Sequence, residues 1–195
     1  MLQVNNKALF NPSSLDKAPE LTEQHRSLTK WLHWSMAVII LYATFAGYGM
    51  LLVMDRPVLF HVLSNLNISL ATLATILFFV RWVWKFFRIE PELPNTISDT
   101  QKSFAKLAHG VMYFAMFVVF ISGYLMLKHS YQFFWVIEIP NLIDNVAVNE
   151  FFFVVHRASC LTLAILVVVH ILAALKHHYI IKNNVLRSMM IRFNK

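Results

Sequence analysis

The chain has 195 residues, 58% of them hydrophobic and 14% charged, with a formal net charge of +7 and a mean hydropathy of +0.57. Soluble domains are typically about 45–50% apolar and about 25% charged, so the composition excludes a disordered chain, a fibrous chain and an ordinary soluble enzyme. The single cysteine, Cys160, excludes an internal disulfide. The four glycines (Gly47, Gly49, Gly110 and Gly123) build neither a dinucleotide fingerprint nor a P-loop.

Residues 1–29 are mixed and polar, with Pro12 and Pro19. They lack the basic start and short apolar core of a cleaved signal, and they read as a cytoplasmic segment. Four runs free of Asp, Glu, Lys and Arg follow: Trp31–Met54, Pro57–Val80, Leu107–Leu127 and Ala158–Leu175, the last extending back toward Phe151 with Arg157 near one end. About 20 apolar residues cross a bilayer as a helix, and the runs are continuous rather than alternating, which argues against membrane strands. The predicted fold is an all-α, integral membrane four-helix bundle over residues 30–181, with a basic cytoplasmic tail over 182–195. Arg88–Thr100, with Pro91, Pro94 and Asn95, reads as a loop. Ser130–Asn149 reads as a longer loop on the outer side, with Phe133, Phe134 and Trp135 at the headgroup level.

The basic residues give the orientation. Fourteen of the Lys and Arg side chains fall on the N-terminal segment, the second connection and the C-terminal segment; Arg56, Lys128 and Arg157 fall on the other side. The positive-inside rule then places both termini in the cytoplasm. A nucleic-acid surface would need a clustered basic patch with stacking aromatics, and these charges are spread along helix ends, so no nucleic-acid partner is expected.

Nine histidines are present, and His33, His61, His109, His156 and His170 lie within or at the ends of the spans. Ionisable groups at such positions face the bundle interior and mark function. His156 and His170 are fourteen residues apart, nearly four helical turns, about 21 Å along one face. That spacing suits two haem layers, one near each surface, because histidine is a usual axial ligand. The same interval separates His33 from Gly47, Asn67 from Arg81, and His109 from Gly123. Glycine permits close approach of a flat ligand, although small residues also serve plain helix packing. His33, opening the first span, and His170, near the end of the fourth, lie at one depth and can meet from opposite sides of one iron. Arg81 and His109 at that depth can each pair with a haem propionate.

In these residues the chain resembles the bacterial cytochrome b561 family. The resemblance runs from about Thr29 to Met190. It rests on His33-Trp34, Asp55-Arg56-Pro57, Arg81, Ala108-His109-Gly110, His156, His170, His177-His178-Tyr179, Lys182-Asn183-Asn184 and Leu186 through Met190. It implies a four-helix cytochrome carrying haem b and exchanging electrons with quinone near His177, His178 and Lys176. It also implies a superoxide:quinone type of activity, or the role of a cytochrome b subunit serving a larger dehydrogenase, with redox proteins or subunits as further partners.

One position departs from the family. Its second span usually carries a histidine fourteen residues before the arginine, and here that residue is Asn67. The outer haem is then absent, held by His156 alone, or bound by His156 with His61, which lies six residues upstream, about 9 Å away along an ideal helix. A non-redox scaffold or assembly subunit is the alternative reading that the lost ligand favours. A proton-coupled transporter would need polar groups near midplane, where Thr44, Thr72 and Thr75 are the main exceptions to an apolar sequence.

Overall fold

The computed structural model describes residues 13–87, 98–183 and 185–190. Helix α1 spans Ser13–Gly49 and ends in a 3-10 turn, Met50–Leu52; α2 spans Pro57–Phe87 and α3 Asp99–Leu125. Strands β1 (Tyr131–Phe133) and β2 (Ile137–Ile139) form an antiparallel hairpin, followed by α4 (Val146–Tyr179) and a short α5 (Val185–Met189). Four stretches are long and apolar enough to cross a membrane: Ser27–Leu52, Pro57–Phe87, Asp99–Leu125 and Val146–Tyr179. They make the chain a multi-pass membrane protein. An even number of spans puts the start of α1 and the end of α4 at one end of the bundle. That end, with Lys30, Arg81, Lys85, Lys102 and Lys176, is called the basic end below; the other is the hairpin end.

Each helix is longer than its charge-free run, because local capping sets its ends. Pro57, with φ preset for a helix, opens α2. Ser98 and Gln101 form a capping box that starts α3 within a polar stretch. The Asn145 side chain accepts from the Val148 amide and starts α4 twelve residues before the charge-free run. At the other terminus of α4, Ile180 N and Ile181 N both donate to Lys176 O, and Lys182 adopts a left-handed φ of 55°. The chain thereby turns back, and α5 packs against α4 within the stretch read from sequence as a tail. Trp34 Nε1 ties α5 to α1 by donating to Met189 O at 2.9 Å.

The helices associate as two antiparallel pairs, α1 with α2 and α3 with α4. Ring contacts of Phe78 with Tyr113 and Phe120 join α2 to α3. Midway along the bundle Met36, Ala74, Phe78, Ala115, Met116 and Leu163 form the buried core. Many large apolar side chains, Phe45, Ile76, Phe114 and Val169 among them, remain exposed, as lipid-facing helices require. Thr44, Thr72 and Thr75 each donate to the carbonyl four residues earlier, which satisfies the hydroxyls inside their own helices. Thr72 alone of the three also pairs outside its helix, with the Tyr131 hydroxyl.

The segment between α3 and α4 is ordered. Asn149, 2% exposed, donates through Nδ2 to the carbonyls of Leu125, Leu127 and Ile143, fastening both ends of the loop to α4. The hairpin lies on α2. The Phe134 amide donates to Ser69 Oγ at 2.9 Å, and the Tyr131 hydroxyl pairs with Thr72 Oγ1 at 2.6 Å. Consecutive left-handed residues, Phe134 (φ 46°) and Trp135 (φ 61°), make the turn. For bulky side chains each such residue costs about 1–3 kcal/mol, so tertiary contacts hold the turn in place.

Candidate functional site

Three imidazoles meet at the basic end. His33 on α1 and His170 on α4 have ring centroids 6.4 Å apart, with planes at 65°. His109 on α3 stands 5.5 Å from His170. The pairing predicted from depth therefore brings together the first, third and fourth spans. Among the described residues, no three His, Cys, Asp or Glu side chains are arranged to hold a bare metal ion.

Arg81 on α2 lies within electrostatic reach of both His33 and His170. Its Nε donates to the Tyr113 hydroxyl at 2.9 Å, while its Nη1 is buried with no hydrogen-bond partner. Lys85 Nζ is 5.6 Å from the Tyr113 ring centre, and the Arg81 guanidinium carbon is 5.9 Å from it. Two cations thus share one aromatic ring, an arrangement that favours an anion beside them. Trp84 Nε1 donates to Thr29 Oγ1 at 3.0 Å and closes the α1–α2 side. Tyr113 and Lys85 were not singled out from sequence. Tyr113 is four residues past His109, one helical turn along the same face, and that spacing was the available signal.

Farther along the basic end, Asn183 Nδ2 donates to His177 Nδ1 at 2.8 Å. An accepting Nδ1 leaves the proton of the neutral ring on Nε2. The His178 ring packs edge-on to Tyr179 at 4.8 Å, and Lys176 is exposed.

The hairpin end is arranged differently. His156 Nδ1 donates to Val119 O at 3.0 Å and lies 3.4 Å from Ser122 Oγ. Its Nε2 faces the Cys160 thiol, one turn along α4, at 3.4 Å. Gly123 is the reason the ring fits: a Cβ there would come within 2.9 Å of His156 Cε1. Around Gly47 a Cβ would meet nothing within 4 Å. Asn67 is half-buried, with an unpartnered Oδ1, and His61 is exposed in the second turn of α2. The fourteen-residue intervals therefore have unlike outcomes: Gly123 accommodates a histidine, whereas Gly47 borders open space.

Four membrane-spanning helices that gather inward histidines from the first, third and fourth spans have the architecture of a membrane b-type cytochrome. A family model described as prokaryotic cytochrome b561 matches residues 24–191, and the chain belongs to that family. It is similar to cytochrome b561 homolog 2 of Escherichia coli (strain K12), with 27% identity over 173 residues that cover 86% of this chain and 92% of the relative. Family membership makes the chain a membrane cytochrome of the haem b, electron-carrying kind.

Proposed function

We propose that the chain transfers electrons within a bacterial inner membrane, to or from quinone, using a haem b held by His33 and His170 at a cytoplasmic basic end. The observation that carries this reading is the His33–His170 geometry. The ring centroids lie 6.4 Å apart, so His33 and His170 would be near enough to hold one iron between them, and histidine is a usual haem ligand. A pair of imidazoles without further protein ligands suits a metal whose remaining positions a macrocycle fills. The buried, unpartnered Nη1 of Arg81 supports the fit independently, because a propionate would satisfy it with a charge-assisted hydrogen bond.

When bound, the haem supplies reversible one-electron iron chemistry. The protein's own contributions are positional and electrostatic. His33 and His170 present neutral nitrogens from the first and last spans. Arg81 and His109 would each pair with a propionate, and Tyr113 holds the guanidinium by accepting from its Nε. Quinone reduction takes up two protons with two electrons, and His177, with its proton on Nε2, and His178 are placed to deliver them beside Lys176. The same basic residues, read by the positive-inside rule, support cytoplasmic termini. The second redox partner belongs to the class of redox proteins or dehydrogenase subunits.

The test is the reduced-minus-oxidised spectrum of the purified protein with its His33→Ala and His170→Ala variants. Wild type should show a low-spin b-type spectrum that each substitution abolishes. A colourless wild-type protein would favour the scaffold reading, and a low-spin signal that survives both substitutions would reject the assignment.

A further inference from the structure

We infer that the hairpin-end half of the bundle is closed by the chain's own β1–β2 hairpin, so that this chain holds a single haem; the inference rests on the reading that the basic-end layer holds one. The two layers differ in each feature a haem requires. At the basic end imidazoles from two helices, His33 of α1 and His170 of α4, come within 6.4 Å of each other. At the hairpin end His156 has no imidazole opposite it on α2: Asn67 occupies the matching interval, and His61 is exposed in the second turn. The coordinating nitrogen left on His156, Nε2, faces the Cys160 thiol of its own helix at 3.4 Å. The bond from Nδ1 to Val119 O is one that a metal-bound histidine also makes, so the decisive evidence lies across the bundle.

There the hairpin is built into α2. Ser69 is wholly buried, and its Oγ accepts the Phe134 amide at 2.9 Å. Thr72, already bonded to its own helix, pairs with the Tyr131 hydroxyl at 2.6 Å. These two α2 residues lie two and five positions past Asn67, within about 8 Å along the axis. The hairpin therefore covers α2 at the level where a second haem would meet it. Its turn keeps two bulky residues, Phe134 and Trp135, at positive φ. A strained turn persists only where the surrounding contacts over-determine it, and here those contacts are the two bonds to α2. Asn149 anchors the loop ends independently.

The experiment measures haem per chain by the pyridine haemochrome method, with electron paramagnetic resonance to count low-spin and high-spin centres. The samples are wild type, His156→Ala, Asn67→His and His33→Ala, all full-length and purified in detergent. The expected result is one haem per chain in wild type, entirely low-spin, retained in His156→Ala and still one in Asn67→His. Two haems in wild type, or a high-spin component that His156→Ala removes, would overturn the inference. A second haem gained by Asn67→His would also overturn it, by showing that only a ligand was missing. These outcomes are separate from failure of the basic-end reading, in which His33→Ala would keep its haem and His156→Ala would lose it.

Discussion

Arg81 gives its Nε to the Tyr113 hydroxyl at 2.9 Å and keeps a buried Nη1 without a partner. The tyrosine aims the guanidinium across the α2–α3 interface, and the free nitrogen is left for an anion. Removing a positive charge beside a redox centre favours its oxidised form. Arg81→Leu is therefore predicted to lower the haem midpoint potential by on the order of 50 mV, close to a tenfold change for a one-electron couple. Tyr113→Phe should shift it in the same direction by less. Spectroelectrochemical titration checks both, and an unchanged or raised potential in Arg81→Leu would show that the guanidinium does not act on the haem.

The two interval glycines should respond oppositely to alanine. At Gly123 the new Cβ meets His156 Cε1 at 2.9 Å, so the ring must move and strain its bond to Val119. We predict a destabilisation of about 1–3 kcal/mol. At Gly47 the Cβ meets nothing within 4 Å, and the gain in helix propensity predicts stabilisation of up to about 1 kcal/mol with an unchanged spectrum. Thermal unfolding in detergent and the haem spectrum read the two effects. Loss of haem in Gly47→Ala would place a macrocycle against that glycine.

Asn149 should be among the most sensitive residues outside the histidines. Its Nδ2 is shared by three carbonyls, and its side chain is almost wholly buried. Asn149→Ala leaves buried acceptors unsatisfied, at about 1–3 kcal/mol for each group that finds no water. The hairpin should also become susceptible to proteolysis. A variant as stable and as protease-resistant as wild type would mean that the loop is held elsewhere.

Tyr131 belongs to the hairpin, outside the four spanning segments, and its hydroxyl pairs with Thr72 of α2. Burial raises its pKa above the ordinary value, against a smaller lowering by the bond to Thr72 and a further raising by Tyr124. A raised pKa means that the fold favours the neutral phenol. Its contribution is complete below the ordinary tyrosine pKa of about 10 and is lost as pH rises through the folded value. The difference absorbance titration of wild type against Tyr131→Phe should show a phenolate midpoint above the ordinary value. A midpoint at or below it would contradict the placement of the hydroxyl on α2.

The sequence made the long elements and the basic-end cluster readable for definite reasons. Charge-free runs report lipid exposure directly, and fourteen-residue spacing puts His156 and His170 on one face whatever surrounds them. The start of α4 lies earlier than the sequence reading, within the stretch Ser130–Asn149 read as loop, because Glu150 and Arg157 interrupt the apolar run while Asn145 caps the helix at Val146. The hairpin gave no warning. Its turn has Phe134, Trp135 and Val136 where glycine, asparagine or aspartate would mark such a turn, because contacts with Ser69 and Thr72, more than fifty residues away, hold the backbone there. Asn67 was visible as a departure, but what faces α2 instead depends on tertiary structure alone.

The proposed iron ligands are 137 residues apart, one on the first span and one on the last. They also belong to different helix pairs, α1 with α2 and α3 with α4. During synthesis the first pair can insert and pack long before α4 leaves the ribosome, yet it would present only one of the two proposed protein ligands. On that assignment, cofactor capture would wait for the final span. It would then join two preformed halves, so a chain truncated before His170 would insert into the membrane and remain colourless.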